Sequence, residues 1–451
     1  NGTRGETPFD EFSTVPTAAE RAGNFAGIAN IIDPSSGSPF ANDTIPQINP
    51  IAQGLLAYIP LPNLPGATQN FHFVTATNTS GDDLNFRLNR TLGATARQSG
   101  RGRGRGPRNS VSVGLHYHHS ESNLTNAFPG LGGSTNVRSW DVPISYTRTF
   151  GKLIDTARAD FNRSRSQTQN LFAFSQDITG NLGIQGVSQN PFDWGVPNLS
   201  FTDVAGLTDV SPSLLRNQTL TLSDNMIWSH GKHTLRWGGD FRRIQLNAES
   251  DSNPRGTFTF TGGFTGYDFA DFLLGLPQET SVQYGATPTS TRNFHFRGNS
   301  WDLFAQDAWR VRSNLSLNLG VRYEYVSPYS ETTNQLVNLA VSPTFNPAVM
   351  PVPLAAGQAG VPQTIVKPDR NNFAPRVGLA WKPLSKTVVR AGYGINYNLS
   401  DYQSMAQNLA FQPPFATTQT NTIQQGGAST LSLQNGFPTP APGQIPNNFA
   451  V

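Results

Sequence analysis

Residues 314–325 read "NLSLNLGVRYEY". In an extended chain Leu315, Leu317, Leu319, Val321, Tyr323 and Tyr325 point to one side, while Ser316, Asn318, Gly320, Arg322 and Glu324 point to the other. This period of two marks a β-strand with one apolar and one polar face. Its length decides what kind. Strands of water-soluble domains run about 5–6 residues, whereas a tilted strand crossing a bilayer needs about 9–11. The alternation here persists from Leu315 to Tyr325, so a membrane-spanning strand is expected.

The pattern recurs in "TVVRAGYGINYN" (387–398), where Val389, Ala391, Tyr393, Ile395 and Tyr397 oppose Arg390, Gly392, Gly394 and Asn396. Less regular copies cover 109–119, 137–150, 214–229 and 233–243. About ten such strands are expected. They are joined by very short links, "FGKL" (150–153), "SHGKH" (229–233), "RVRSN" (310–314) and "KPLSK" (382–386). Long Pro/Gly/Asn/Ser-rich segments at 167–213, 249–295 and 327–372 separate the hairpins. Short turns alternating with long loops is the organisation of an outer-membrane barrel, with periplasmic turns and extracellular loops. The expected fold is therefore all-β, an antiparallel transmembrane β-barrel present in part. Residues 1–81 and 400–451 are expected to be extracellular loop regions and 82–399 the strands with their interleaved loops.

Aromatic placement agrees. Phe150, Trp228, Trp309 and Trp381 stand at or just before the short turns, and Tyr323, Tyr325, Tyr393 and Tyr397 at the far ends of the returning strands. Two aromatic girdles are expected, one per membrane interface. Asp307 departs from the pattern, because strict alternation in "WDLFAQDAWRV" turns it outward. A bulge or an interfacial position accommodates such a residue.

Composition sets further bounds. With 43 Gly, 33 Pro and only 14% charged residues, the chain resembles neither a helical enzyme nor a disordered acidic chain. It has no cysteine, which excludes disulfides and thiolate metal sites. No run of eighteen apolar residues occurs, and mean hydropathy is −0.37, so transmembrane helices are excluded while spanning strands are not. The chain begins at Asn1 without Met, and an internal segment is expected. The glycine-spaced arginines of "SGRGRGRGPRNS" (99–110) raise the question of nucleic acid. A net charge of +3 over 451 residues supplies no electrostatic footprint for it, so this tract is expected to be a basic periplasmic turn.

Candidate chemistry is sparse. "HYHH" places His116 and His118 on one strand face, a spacing open to a metal but more simply a polar lumen pair, and His230 and His233 flank a turn as interfacial polar residues. No phosphate loop, nucleophile elbow or HExxH motif occurs, so no catalytic residue, metal or cofactor is assigned. "DFADFLLGLP" is the best helical stretch, with Phe269, Phe272, Leu273 and Leu276 on one face, expected to pack over the barrel mouth. Arg158, Asp160, Arg236, Asp240, Arg242, Arg322, Glu324, Arg376 and Arg390 fall on inward positions and are the candidate lumen-facing residues.

Several stretches in order resemble the barrel region of Oar-like TonB-dependent outer-membrane receptors: "FSTVPTAAERAGNFAG" (12–27), "IIDPSSGSPFANDTIP" with "INPIAQGLLAYIPLPN" (31–63), "GYDFADFLLGLP" (266–277), "WDLFAQDAWRVRSNLSLNLGVRYEYVSP" (301–328), and "NNFAPRVGLAWKP" (371–383) followed by "VVRAGYGINY" (388–397). The resemblance implies a larger barrel in the bacterial outer membrane, plugged by an N-terminal domain and energised through the TonB complex, which would reach this segment by way of that missing plug. It implies uptake or sensing of an unidentified small-molecule or peptide nutrient, without enzymatic activity. The expected partners are outer-membrane lipid, TonB and that substrate, and not nucleic acid. A passive porin or surface-adhesion barrel is the alternative reading, and a soluble carbohydrate-binding β-protein a more distant one.

Overall fold

In the computed structural model, residues 1–92, 109–287, 290–340, 352–358, 360–398, 401–423 and 430–438 are described. The arginine-glycine tract expected to form a turn lies outside them, although the residues on either side, Leu92 and Asn109, are paired across adjacent strands. Eleven strands follow one another in a single antiparallel sheet in chain order: β1 (Gly2–Ser13), β2 (Phe71–Leu92), β3 (Asn109–Leu124), β4 (Gly133–Phe150), β5 (Leu153–Asn170), β6 (Ser213–His230), β7 (His233–Ser250), β8 (Asn293–Arg312), β9 (Leu315–Val326), β10 (Phe373–Leu384) and β11 (Thr387–Gly394). A two-residue strand, Ser330–Glu331, adds to the side of β8. Among the described residues β1 and β11 each have one neighbour, so the sheet is open.

The alternation organises the whole sheet, because residues paired across antiparallel strands share a face. Following the register from Arg158 through Ser223, Asp240, Asp302 and Glu324 traces one polar face, and from Ala159 through Leu222, Phe241, Trp301 and Tyr325 an apolar one. The apolar face is open to its surroundings. Leu84, Phe86 and Leu88 on β2, Trp301 and Leu303 on β8, Val377 on β10 and Tyr393 on β11 are each about half exposed or more. A soluble sheet would bury such a face, and here it is the lipid-contacting band.

The band has two aromatic borders. Near the short turns, Phe150 lies under the Arg148 guanidinium at 4.7 Å, Trp228 stacks with His230 at 5.1 Å, and Trp309 stacks with His233 at 5.4 Å. Trp381 occupies the matching height on β10, paired with Leu315. At the opposite border the structure pairs aromatic rings across strands: Tyr117 with Trp140 at 4.3 Å, Phe241 with Trp301 at 4.2 Å and Tyr323 with Phe373 at 4.9 Å. Asp307 does turn outward, and His233 explains it: Nδ1 of that ring lies 2.6 Å from its carboxylate, close to the short turn and beside the bulge between Trp309 and Arg312. Gly151 and Gly231, both at φ +58, give their two-residue links the left-handed step that keeps the flanking strands in register.

Three expectations need correction. The region 1–81 is not all loop, since β1 and the first half of β2 pair along Gly2–Ser13 and Phe71–Asp82, where polar residues interrupt the apolar alternation used to recognise strands. The final strand ends at Gly394 rather than Asn398, beyond which the Tyr397 hydroxyl donates to the Phe373 carbonyl at 3.2 Å. The region 400–451 contains a helix, Tyr402–Ala410, and a strand, Thr417–Thr422.

The long loops fold together. Thr417–Thr422, Glu279–Tyr284, Thr257–Thr259 and Asn198–Ser200 make a second, four-stranded sheet. Against it packs the largest buried core, built from loop residues such as Phe25, Ile31, Leu55, Phe128, Leu199, Phe258 and Phe260. "DFADFLLGLP" forms the helix Asp268–Leu274, with Phe269, Phe272 and Leu273 fully buried. Its two carboxylates are structural. Asp271 accepts from the Thr265 amide (2.8 Å), the Thr265 hydroxyl (2.6 Å) and Gln278 Nε2 (2.7 Å), while Asp268 accepts from the amides of Thr202 and Asp203, both at 2.7 Å. Burial pushes both carboxyls up despite these donors. Arg255, buried as well, donates to the carbonyls of Val196, Asp193 and Val210 and so ties three loop stretches together.

Two measurements check this architecture. Lipids brominated near the headgroup should quench the interfacial Trp228, Trp309 and Trp381 more than lipids brominated at the chain ends; the reverse order would refute the girdle. Asp271→Ala strands several buried donors and should loosen the loop core by about 3 kcal/mol, seen as faster proteolysis within 178–284 while the strands keep their compact, heat-modifiable gel migration.

Candidate functional site

The polar face of the sheet is the site to consider, because in a closed barrel it lines the interior. All nine sequence-designated residues fall on it by register, from Arg158 and Asp160 on β5, through Arg236, Asp240 and Arg242 on β7 and Arg322 and Glu324 on β9, to Arg376 on β10 and Arg390 on β11. Within each hairpin the short link fixes the register of the returning strand, and across the long loops the apolar face must still meet lipid, so the polar positions stay on one side.

Four of the nine come together with one residue that sequence reasoning passed over. Arg322 reaches Asp302 with Nη2 at 3.0 Å and Glu324 with Nε at 2.5 Å. Asp302 is the register partner of both Glu324 and Asp240, and Asp240 pairs with Arg242 at 3.1 Å. Asp302 is nearly buried, with Ser300 beside it. The network thus holds three carboxylates and two guanidiniums on three adjacent strands. Asp302 was legible in principle, since it alternates with Trp301 and Leu303 in "WDLF".

A second group lies on β2 to β6. Arg158 and Asp160 line a cavity of about 430 Å³ together with Arg87, Ser112, Ser145 and Thr221. The small side chains along this stretch open the space, and the Gly114 Cα passes close to the Pro143 ring, leaving no room there for a Cβ. His116 and His118 also face inward but do not converge on a metal. Nδ1 of His116 lies 2.6 Å from Asn85 Oδ1, and Nδ1 of His118 lies 2.8 Å from Asp83 Oδ1, each a cross-strand pair of its own. No group of three or more potential metal ligands occurs among the described residues. Arg236, Arg376 and Arg390 stand apart from both clusters, Arg376 donating to Asn396 Oδ1 at 2.7 Å.

The far end of this face is covered by the loops. Phe294 and Phe296 on β8 and Ile244 and Leu246 on β7 all point inward, and they pack with the loop residues Tyr329, Leu336, Ala356, Ala406, Ala410 and Ala416. Phe71 at the inward side of β2 joins the larger loop core through Phe128, ring to ring at 6.5 Å. The loops therefore fold inward across the end of the polar face. Apart from the expectation for "DFADFLLGLP", composition carries no sign of this, because the other packing partners are scattered single residues without period.

The family comparison accords with this geometry. A family described as outer membrane beta barrel domain matches residues 1–451. No curated protein matches the sequence. Among solved structures, the outer membrane transporter YddB from Escherichia coli aligns over 79% of this chain and 36% of its own, with 9% identity and a TM-score of 0.40. FpvA from P. aeruginosa, solved with heterologous pyoverdines and iron, aligns over 74% of this chain and 39% of its own, with 11% identity and a TM-score of 0.37. The chain spans little more than a third of the length of either. With a family match along its entire length, a lipid-facing apolar band and a polar inner face, the chain belongs to the outer membrane β-barrel domain family and resides in the bacterial outer membrane.

Proposed function

We propose that this chain is part of the barrel of a substrate-specific, non-enzymatic receptor of the Oar-like TonB-dependent type, which takes up or senses a small-molecule or peptide nutrient. The observation that carries the reading is the folded loop core laid inward over the end of a charged inner face. A passive porin needs an aqueous path, whereas here buried Phe294 and Phe296 and the loop residues packed on them close the end of β7 and β8. A covered lumen calls for a device that opens it, and energy delivered through TonB to a plug domain fills that role. The carboxylate-rich network of Asp240, Asp302 and Glu324, partly neutralised by Arg242 and Arg322, gives the path a polar lining suited to a cationic or hydrogen-bonding solute.

Two experiments bear on this. In planar bilayers the full-length protein should show no steady conductance, while Asp271→Ala, by loosening the loop core, should produce flickering openings; a large steady conductance in the unaltered protein favours the porin reading. In cells, uptake of the nutrient found by screening should disappear when TonB is deleted and fall by about tenfold with Asp240→Asn/Asp302→Asn, as the loss of charge-assisted contacts predicts. Uptake indifferent to TonB would remove the receptor assignment.

A further inference from the structure

Just beyond the apolar band, on the side of the long loops, the outward face changes abruptly to arginine. On β4 the last apolar outward residue is Trp140 and the next outward position is Arg138. On β5 Phe161 is followed by Arg163 and Arg165, on β6 Leu220 by Gln218 and Arg216, on β7 Phe241 by Arg243, and on β8 Trp301 by Asn299 and Arg297. Five consecutive strands thus place six arginines along one border.

The register crowds them. Arg138 is paired with Arg165, and Arg165 with Arg216, so three guanidinium-bearing residues stand directly opposite one another across three strands. Arg163 sits one outward position nearer the band, diagonal to both ends of that row. Like charges directly opposite in a sheet are destabilising unless something neutralises them. On the same face Glu121 of β3 lies one outward position beyond His119, the partner of Arg138, but forms no ion pair with that arginine. Among the described residues none of Arg138, Arg163, Arg165, Arg216 and Arg243 takes part in an ion pair. Arg165 donates only to the neutral Gln167 Oε1, at 2.5 Å, and Arg138, Arg163, Arg216 and Arg243 are exposed.

We propose that this arginine border binds an anionic lipid headgroup carrying more than one phosphate, in the leaflet on the long-loop side of the membrane. The planar guanidinium pairs with phosphate through two parallel hydrogen bonds. The row of three spans about 10 Å at the usual strand spacing, wide enough to engage several phosphate oxygens at once. Its position selects a lipid over a soluble anion: the row faces away from the lumen, one outward position beyond Trp140 and two beyond Phe161 and Leu220, so a ligand held there has its acyl chains against the apolar band. The occupant also supplies the missing counter-charge, which ties barrel stability to the lipid.

The test uses the full-length protein in phosphatidylcholine nanodiscs doped with a bisphosphorylated glucosamine glycolipid or with its phosphate-free counterpart, with bound lipid counted by native mass spectrometry. The phosphorylated lipid should be retained at least about tenfold better. Arg138→Gln/Arg165→Gln/Arg216→Gln should abolish that preference, the corresponding Arg→Lys triple should keep part of it, and Lys152→Gln/Lys232→Gln/Lys382→Gln, which removes equal charge at the short-turn rim, should leave it unchanged. Heat-modifiable migration reports folding, and Arg165→Gln alone, with a partial loss expected, serves if the triple variant does not fold. Equal retention of the two lipids, equal loss in the arginine and lysine triples, or displacement of the lipid by millimolar inorganic phosphate would each overturn the proposal. Labelling of the long loops in intact cells tests the orientation separately: loops that face the periplasm would also overturn it.

Discussion

Every backbone amide and carbonyl that enters the hydrocarbon must find its partner within the protein. In this chain the sheet meets that demand from strand to strand, and the demand fixes nearly everything else. Once the ladder is formed, side chains have only two faces to occupy, and a slip of one residue would carry the arginines of β7 and β9 into lipid. The two-residue links between β4 and β5 and between β6 and β7 remove that freedom, because Phe150 is held opposite Leu153 and His230 opposite His233. Lipid band and charged inner face are consequences of one register.

The constraint also explains an unusual distribution of buried apolar surface. The spanning strands contribute few residues to any buried core, since their apolar face is turned to lipid. The residues that are fully buried, Phe25, Phe128, Phe258, Phe269 and Phe272 among them, lie in the loops or at their edges. Two kinds of stabilisation therefore operate in different places: ladder hydrogen bonds in the membrane, where unmade bonds are costly, and ordinary hydrophobic packing outside it, where each buried phenylalanine contributes roughly 1.5–3 kcal/mol.

How far the sequence could be read follows the same division. Period two is visible without any structure, so β9 and its outward Leu317, Leu319 and Val321 were plain, and so were the lumen positions that alternate with them. β1 and the upper part of β2 were hidden because their outward residues, such as Arg4, Glu6 and Asp82, lie past the apolar band and carry no alternation. The arginine border escaped notice because its members are separated by tens of residues and only pairing unites them. Asp302 shows the intermediate case, placed on the correct face by its neighbours but meaningful only once Arg322 and Asp240 are beside it.

Among the stretches that carried the family resemblance, 12–27, 31–63 and 266–277 build the loops, while 301–328, 371–383 and 388–397 supply wall strands β8 to β11. In "FSTVPTAAERAG", Thr17 and Glu20 cap a short helix reciprocally, and the Tyr267 hydroxyl of "GYDFADFLLGLP" donates to Glu20 at 3.0 Å. Phe25 meets the Tyr267 ring at 5.5 Å, the Ile32 amide donates to the Thr265 carbonyl at 2.9 Å, and the Asn49 amide donates to the Leu273 carbonyl at 2.8 Å. Segments more than two hundred residues apart in sequence thus form one packed unit. A barrel wall tolerates many apolar substitutions on its lipid face, since lipid imposes no shape. A loop core does impose shape, and Asp268 and Asp271 with their fixed donors impose more. The loop motifs accordingly lie where packing is specific, at the covered end of the polar face, in a unit whose parts are too interlocked to shift one at a time.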